Sequence, residues 1–360
     1  MDKQQKNKKK IIIISVVSIL LCFIFVISPI STIVVYECIF GLRYEPEPWM
    51  EFSVEDYDGL QTERSDFVSD GVTLAGYKYH KSEQTPKGVV VIAHGLGGGG
   101  HNNYMPFVDY FTSCGYYVFA YDARGNGNSG GKDIEGLPQG IVDLDNAIEH
   151  TKTIEEYNEL PMALFGHSWG GYSVGSVLGM HPEVKAAVIV AGFNESEDML
   201  RYQAEQVAGP VIAAGMPYLI LYERIKFGKE ISDASAVSGM ANSEAGIMIV
   251  HSKDDETVPI EYGYNKFYEA FGNSDRFEFV LYEDRGHSYL FYSDAAEAYR
   301  EQLNADYKAY VENNGKKYSA KVKEEFMNQY LDKKQCFAPD PVLMERIINM
   351  FDAYCGIISK

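Results

Sequence analysis

Basic side chains are scarce in this chain: 32 lysines and arginines stand against 51 aspartates and glutamates, a formal charge of -19. That deficit argues against a nucleic-acid partner and against an electrostatic hold on an anionic surface; it points to a neutral or cationic partner. Cysteine is nearly absent too. The five cysteines are an odd number, and Cys38, Cys114, Cys336 and Cys355 have neither zinc-ligand nor redox spacing. A Cys336 to Cys355 bridge is the one pairing left open. His80, His101, His150, His181 and His251 form no pair at metal-ligand spacing on a helix face. The sequence also lacks internal repeats and low-complexity tracts.

What the sequence does contain begins at its amino terminus. Ile11 to Tyr36 is a run of 26 residues without a charged side chain, and about 20 suffice to cross a bilayer. The run is longer than the roughly 7 to 15 apolar residues of a cleavable signal, and no small-residue cleavage site follows it. Ile19-Leu20-Leu21 ahead of Cys22 lacks the small residue expected beside a lipidated cysteine. An uncleaved single-pass anchor is therefore expected. Lys3, Lys6, Lys8, Lys9 and Lys10 precede it, whereas the next twenty residues after it hold only Arg43 among several acids. The positive-inside rule then places residues 1–10 in the cytoplasm as a basic tail, 11–36 in the membrane and 37–360 outside as the folded domain.

Within that domain, short apolar runs alternate with helical patterns. Strands are expected at Val72 to Tyr79, Val89 to Ala93, Tyr117 to Tyr121, Met162 to Phe165, Ala186 to Val190, Ile247 to Val250 and Phe277 to Tyr282. Ile141 to Thr153 and Glu261 to Phe271 read as helices between them. This is an α/β pattern, with a mostly parallel twisted sheet covered on both faces and ligands at the carboxyl ends of its strands. About 55 residues separate Val190 from Gly246, too many for an ordinary crossover. A helical lid insertion at about 192–245 accounts for them. Its apolar stretch Val207 to Tyr222 could line an acyl pocket or pack on the core. Tyr292 to Tyr310, Ser319 to Leu331 and Pro341 to Tyr354 read as further helices, so a carboxyl-terminal helical extension is expected, about 312–360.

The chemistry gathers at strand ends. Gly166-His167-Ser168-Trp169-Gly170 follows one apolar run and precedes the helical stretch Tyr172 to Met180, so a hydroxyl sits at the apex of a strand–turn–helix elbow. The flanking glycines meet the close backbone approach that such a turn demands. Asp254 and Asp255 lie in the loop that follows Gly246 to Val250. His287 lies in the loop after Phe277 to Tyr282.

Serine, acid and histidine in that order resemble the α/β-hydrolases, specifically the monoacylglycerol-lipase-like and serine-aminopeptidase-like group, from about Val72 to His287. Two other motifs carry the resemblance. His94-Gly95-Leu96-Gly97-Gly98 is similar to the H-G-x-G oxyanion turn, and Asp122-Ala123-Arg124-Gly125-Asn126-Gly127-Asn128-Ser129 to the D-x-R-G-x-G-x-S loop. The acid loop has Ser252 where the group usually has glycine. The resemblance implies Ser168 as nucleophile, His287 as general base and acid, and Asp255 as its orienting carboxylate, by alignment back from Val258-Pro259. The backbone amides of Leu96 and Trp169 would bind the oxyanion. Asp254 then reads as a solvated loop carboxylate, and His94, Asp122 and His167 as structural. No metal or cofactor is called for.

Three functions fit these residues. The first is a membrane-anchored hydrolase of hydrophobic or lipid-like acyl esters. The second is an aminopeptidase of the same fold, in which Glu195, Glu197, Asp198, Glu205 or Glu223 would hold a free amine. The third, a non-catalytic tethered binding module, has no use for an oxyanion turn, serine and histidine together.

Overall fold

The computed structural model describes residues 3–81, 85–209 and 215–357. Ten strands form among the described residues: β1 (Leu60–Arg64), β2 (Phe67–Ser69), β3 (Val72–Leu74), β4 (Gly76–Lys81), β5 (Val89–Ala93), β6 (Tyr117–Tyr121), β7 (Met162–His167), β8 (Val184–Val190), β9 (Gly246–Ser252) and β10 (Phe277–Tyr282). Eight build one sheet in the order β1-β4-β6-β5-β7-β8-β9-β10, while β2 and β3 pair as a separate hairpin. From β6 to β10 all neighbours are parallel; β1 and β4 add an antiparallel edge. The expected Val72 to Tyr79 strand splits at Ala75, whose amide donates to Ser129 Oγ at 2.7 Å and so leaves the ladder.

Strands β5, β7, β8 and β9 are buried on both faces, which their uninterrupted apolar sequences require. Helices Gln139–Thr153 and Trp169–Val177 cover one face with Ile141, Leu144, Ile148, Val174 and Val177. Met105–Ser113 and Pro341–Tyr354 cover the other with Phe107, Phe111, Leu343, Ile347 and Phe351. The chain leaves β5 toward β6 on one side, and β7 lies on the other. Such a reversal opens a crevice at the carboxyl ends of β5 and β7.

The insertion between β8 and β9 contains helices Ser196–Ala208, Met216–Phe227, Lys229–Ser232 and Ala236–Ala241. After β10 the chain is helical at Asp294–Asn313, Ala320–Tyr330, Lys333–Cys336 and Pro341–Tyr354. No bridge joins Cys336 and Cys355, and all five cysteines are free.

One helical segment, Asn7–Phe40, is long and apolar enough to cross a membrane. Its side chains from Ile11 to Ile27 are exposed on every side, but Thr32, Tyr36 and Phe40 are buried at a spacing of four. One face of this helix therefore packs on the folded domain, four residues beyond the expected boundary at 36. Its partner is Met216–Phe227. Tyr36 Oη donates to Glu223 Oε1 at 2.8 Å, Tyr222 Oη donates to Glu37 at 2.6 Å, and Lys226 pairs with Glu37 at 3.2 Å. Over Phe23–Ile27 the helix widens to a π turn, in which the Ser28 amide reaches back to the Phe23 carbonyl. Pro29, next in line, has no N–H to offer Ile24; Tyr218 Oη donates to that carbonyl instead, at 2.7 Å. Part of the expected acyl-pocket stretch, residues 210–214, lies outside the described residues. The part from Met216 onward packs against the apolar helix.

This contact makes a pH prediction. Burial is the largest influence on the Glu223 carboxyl and pushes it from 4.5 up to about 7, despite donation from Tyr36 and Ser196. Between those values the unfolded chain has released the proton that the folded chain keeps, so this carboxyl's contribution is full below about pH 4.5 and lost by about pH 7. Glu223→Gln should flatten the fall in Tm between pH 4.5 and 7 in detergent micelles. An unchanged wild-type-minus-variant difference across that window would refute the assignment.

Candidate functional site

At the end of β7 the chain turns through Ser168 with φ 56° and ψ -116°, a region that costs a non-glycine residue about 1 to 3 kcal/mol. Neighbouring glycines make the turn possible. A Cβ on Gly166 would overlap the Gly170 carbonyl oxygen, and one on Gly170 would overlap that of Ala93 on β5. The Ser168 amide is pinned to the Val190 carbonyl of β8 at 2.8 Å, and helix Trp169–Val177 starts at once. The hydroxyl is thereby presented at the sheet's carboxyl edge.

Ser168, His287 and Asp255 come together there. His287 Nε2 lies 2.9 Å from Ser168 Oγ, and its Nδ1 lies 2.8 Å from Asp255 Oδ2. Asp255 is buried, and its other oxygen accepts from the Thr257 and Val258 amides at 2.9 and 2.8 Å. Burial would raise this carboxyl, but His251 and His287 beside it outweigh that and hold it below the usual carboxylate range. It is ionised at neutral pH and takes the His287 Nδ1 proton as a hydrogen bond, leaving Nε2 free to accept from Ser168.

Asp254 differs from the solvated group expected. Though exposed, it accepts from Ser252 Oγ at 2.5 Å and from the Gly286 amide at 2.9 Å, and the Arg285 amide donates to Ser252 Oγ at 2.9 Å. The serine that replaces the usual glycine thus ties the acid loop to the histidine loop. The two adjacent aspartates divide the work: Asp255 faces the imidazole and Asp254 braces the loop that carries it.

A second chain of bonds links the Gly95 turn to the histidine. The Gly95 amide donates to Tyr104 Oη at 2.9 Å, Tyr104 pairs with His167 Nδ1 at 2.8 Å, and His167 Nε2 meets the His287 carbonyl at 3.1 Å. Burial, reinforced by His287, pushes His167 down to about 3. It is neutral: Nε2–H donates to the carbonyl and Nδ1 accepts from the phenol. Tyr104→Phe would strand a buried amide and an imidazole nitrogen, at about 1 to 3 kcal/mol of stability. Because it loosens both the Gly95 turn and His287, it should lower kcat more than it raises KM. Equal stability and unchanged kcat would show that the chain holds nothing in place.

No acceptor among the described residues occupies the Leu96 or Trp169 amide, and the Trp169 indole is held by the Leu137 carbonyl at 2.7 Å. His94 shapes the Gly95 turn as expected, with Nδ1 on the Gly95 carbonyl and Nε2 accepting from the Ala123 amide, each at 2.8 Å. Asp122 anchors loops, accepting from the His101 amide and ring and from the Asn128 amide. His181 meets Glu149 and Glu183, a group able to hold a cation, but Lys152 already pairs with both glutamates at 2.6 and 2.9 Å.

Ser168, His287 and Leu96 open on a cavity of about 330 Å³. Its far wall belongs to the carboxyl-terminal region, through Tyr289, Phe291, Tyr292, Arg300, Cys336 and Phe337, with Met50 opposite. No described residue of 192–245 lines it. The acids offered in the insertion for amine binding have partners of their own, Glu195 with Asn194, Glu197 with Arg201, Asp198 with Lys266 and Glu223 with Tyr36. Glu205 does not line the cavity either. The sequence held no sign of this wall, because its residues come from three separate segments.

Residues 84–245 match the family described as serine aminopeptidase, S33. A monoacylglycerol lipase of Mycolicibacterium smegmatis is 31% identical over 131 residues, 35% of this chain and 45% of that lipase. The chain thus spans less than half of that relative's length. An uncharacterized protein of Escherichia coli is 25% identical over 265 residues, 72% of this chain and 81% of its own. Among solved structures, an esterase of Pyrococcus furiosus superposes with a TM-score of 0.53 at 15% identity, over 76% of this chain and 98% of the esterase. An acetyl xylan esterase of a Paenibacillus species gives 0.51 at 18% identity, over 70% and 84%. The chain has the α/β-hydrolase fold.

Proposed function

We propose that this α/β-hydrolase-fold chain is a membrane-anchored serine hydrolase that cleaves carboxylic esters with a hydrophobic acyl part. One observation carries the reading: a serine held in a strained turn lies 2.9 Å from His287 Nε2, while a buried carboxylate lies 2.8 Å from Nδ1 of the same ring. Ser168 attacks the ester carbonyl as His287 takes its proton, and the Leu96 and Trp169 amides stabilise the oxyanion. Collapse expels the alcohol with the proton from His287. Water, deprotonated by the same imidazole, then releases the acid.

One relative is named a lipase, two solved structures of the same fold are named esterases, and the family description names an aminopeptidase. The cavity favours the ester. An aminopeptidase needs a carboxylate to hold the substrate's ammonium group, and among the described residues no aspartate or glutamate lines this cavity. Met50, Phe291 and Phe337 supply apolar surface for an acyl chain. The exposed apolar helix Ile11 to Ile27 supports the anchor, and the lysines ahead of it favour an extracytoplasmic catalytic domain. Hydrolysis of short and long 4-nitrophenyl esters, set against aminoacyl amides, tests this reading. Ester turnover is the expected result; turnover of amides alone would transfer the site to the peptidases.

A further inference from the structure

Arg300, on helix Asp294–Asn313, lines the Ser168 cavity and is only 8% exposed. Its faces are covered by aromatic rings, Tyr292 at 4.2 Å, Tyr289 at 4.4 Å and Phe337 at 5.4 Å. Its edges are not served: Nε, Nη1 and Nη2 are all buried without a hydrogen-bond partner among the described residues. Two acids earlier on the same helix are committed elsewhere, since Asp294 and Glu297 both pair with Arg285, and Glu301, the next residue, is exposed to solvent. Cys336 in the same wall offers only a thiol, a weak acceptor.

Rings satisfy a guanidinium's π faces and leave its planar fork of N–H donors open. A buried cation without acceptors is costly to fold around, so such a group belongs where a ligand completes it. Its fork fits a carboxylate or phosphate in a bidentate fashion; a neutral carbonyl would leave most donors unmet. The chain's charge of -19 would repel an anion at long range, but at contact the buried guanidinium dominates. We propose that Arg300 recognises a negatively charged oxyanion, carboxylate or phosphate, on the ester substrate. This deepens the ester-hydrolase reading and rests on it. It also revises the expectation of a neutral or cationic partner.

The test compares matched substrates with the full chain in detergent micelles. One pair is 4-nitrophenyl glutarate monoester against 4-nitrophenyl valerate, which places a carboxylate where the other has a methyl. The second is 1-acylglycerol 3-phosphate against 1-acylglycerol. Wild type should prefer the anionic member of one pair by tenfold or more in kcat/KM, and the pair in which it does so identifies carboxylate or phosphate. Arg300→Met should cut that preference at least tenfold, mainly through KM, and Arg300→Lys should restore part of it. Loss of an unpaired buried charge should leave Tm unchanged or higher; a fall of several degrees would assign Arg300 a structural role and overturn the proposal. So would a wild type without preference in either pair, or an Arg300→Met protein that keeps the ratio. If wild type hydrolyses none of the four, the hydrolase reading fails separately. Arg300 is then judged by Tm: glutarate or inorganic phosphate, at ionic strength matched with chloride, should raise it in wild type and not in Arg300→Met.

Discussion

Ser168→Ala should lower ester turnover by roughly 10⁴-fold or more while the protein folds as before. The direction follows from the site: among the described residues no other hydroxyl lies on His287 Nε2, and without the nucleophile only oxyanion binding and substrate positioning remain. The magnitude is that of nucleophile removal from other serine hydrolases. Folding should survive because alanine meets the same positive-φ penalty as serine at this turn, and the Gly166 and Gly170 approaches that shape it are untouched. The measurements are kcat on a 4-nitrophenyl ester and Tm for the same preparation. A variant with turnover within tenfold of wild type would remove Ser168 from the mechanism.

The second large effect separates two neighbouring acids. Asp255→Asn keeps the size of the side chain but replaces one acceptor with a donor. On one side of that carboxylate lie the Thr257 and Val258 amides, both donors, and on the other the Nδ1 of His287. If the amide group of asparagine turns to the backbone, donors confront donors. If it turns to His287, the ring must accept at Nδ1 and carry its proton on Nε2, where it can no longer take one from Ser168. Either way kcat should fall by about 10³ to 10⁴. Asp254→Asn behaves differently, since one amide oxygen can still accept from Ser252 and Gly286; a loss under tenfold is expected. Steady-state kinetics of both variants on one ester decide it. Equal losses, or a larger one for Asp254→Asn, would reverse the assignment.

Much of this was legible in the sequence, for physical reasons. The central strands are buried on both faces, so their apolar runs are unbroken, and β5 and β6 begin and end where those runs do. Edges carry less signal. In β1 only Leu60 is buried, so no alternation marks it, and it was not foreseen. Strand β9 runs on through His251 and Ser252, polar residues that read as loop, because both are buried and pair with Leu281 and Tyr282 of β10. Ser168, His287 and Asp255 stood out because elbow chemistry depends on local spacing. Tyr104, Asp254 as a brace and Arg300 did not, since each acquires its role from residues far along the chain. Arg300 in particular sits in a helix rich in charge and reads as solvent-facing until Tyr289, Tyr292 and Phe337 close around it. The insertion left two readings open for a related reason: an apolar stretch announces burial but not its partner, and Met216–Phe227 packs against the amino-terminal helix.

The most direct test of the account is to treat the full chain with a fluorophosphonate and locate the adduct by mass spectrometry. A single adduct on Ser168, absent from Ser168→Ala and slowed by orders of magnitude in His287→Ala, is the predicted result. An unmodified Ser168 in folded protein, or an adduct on another residue that persists in Ser168→Ala, would contradict it.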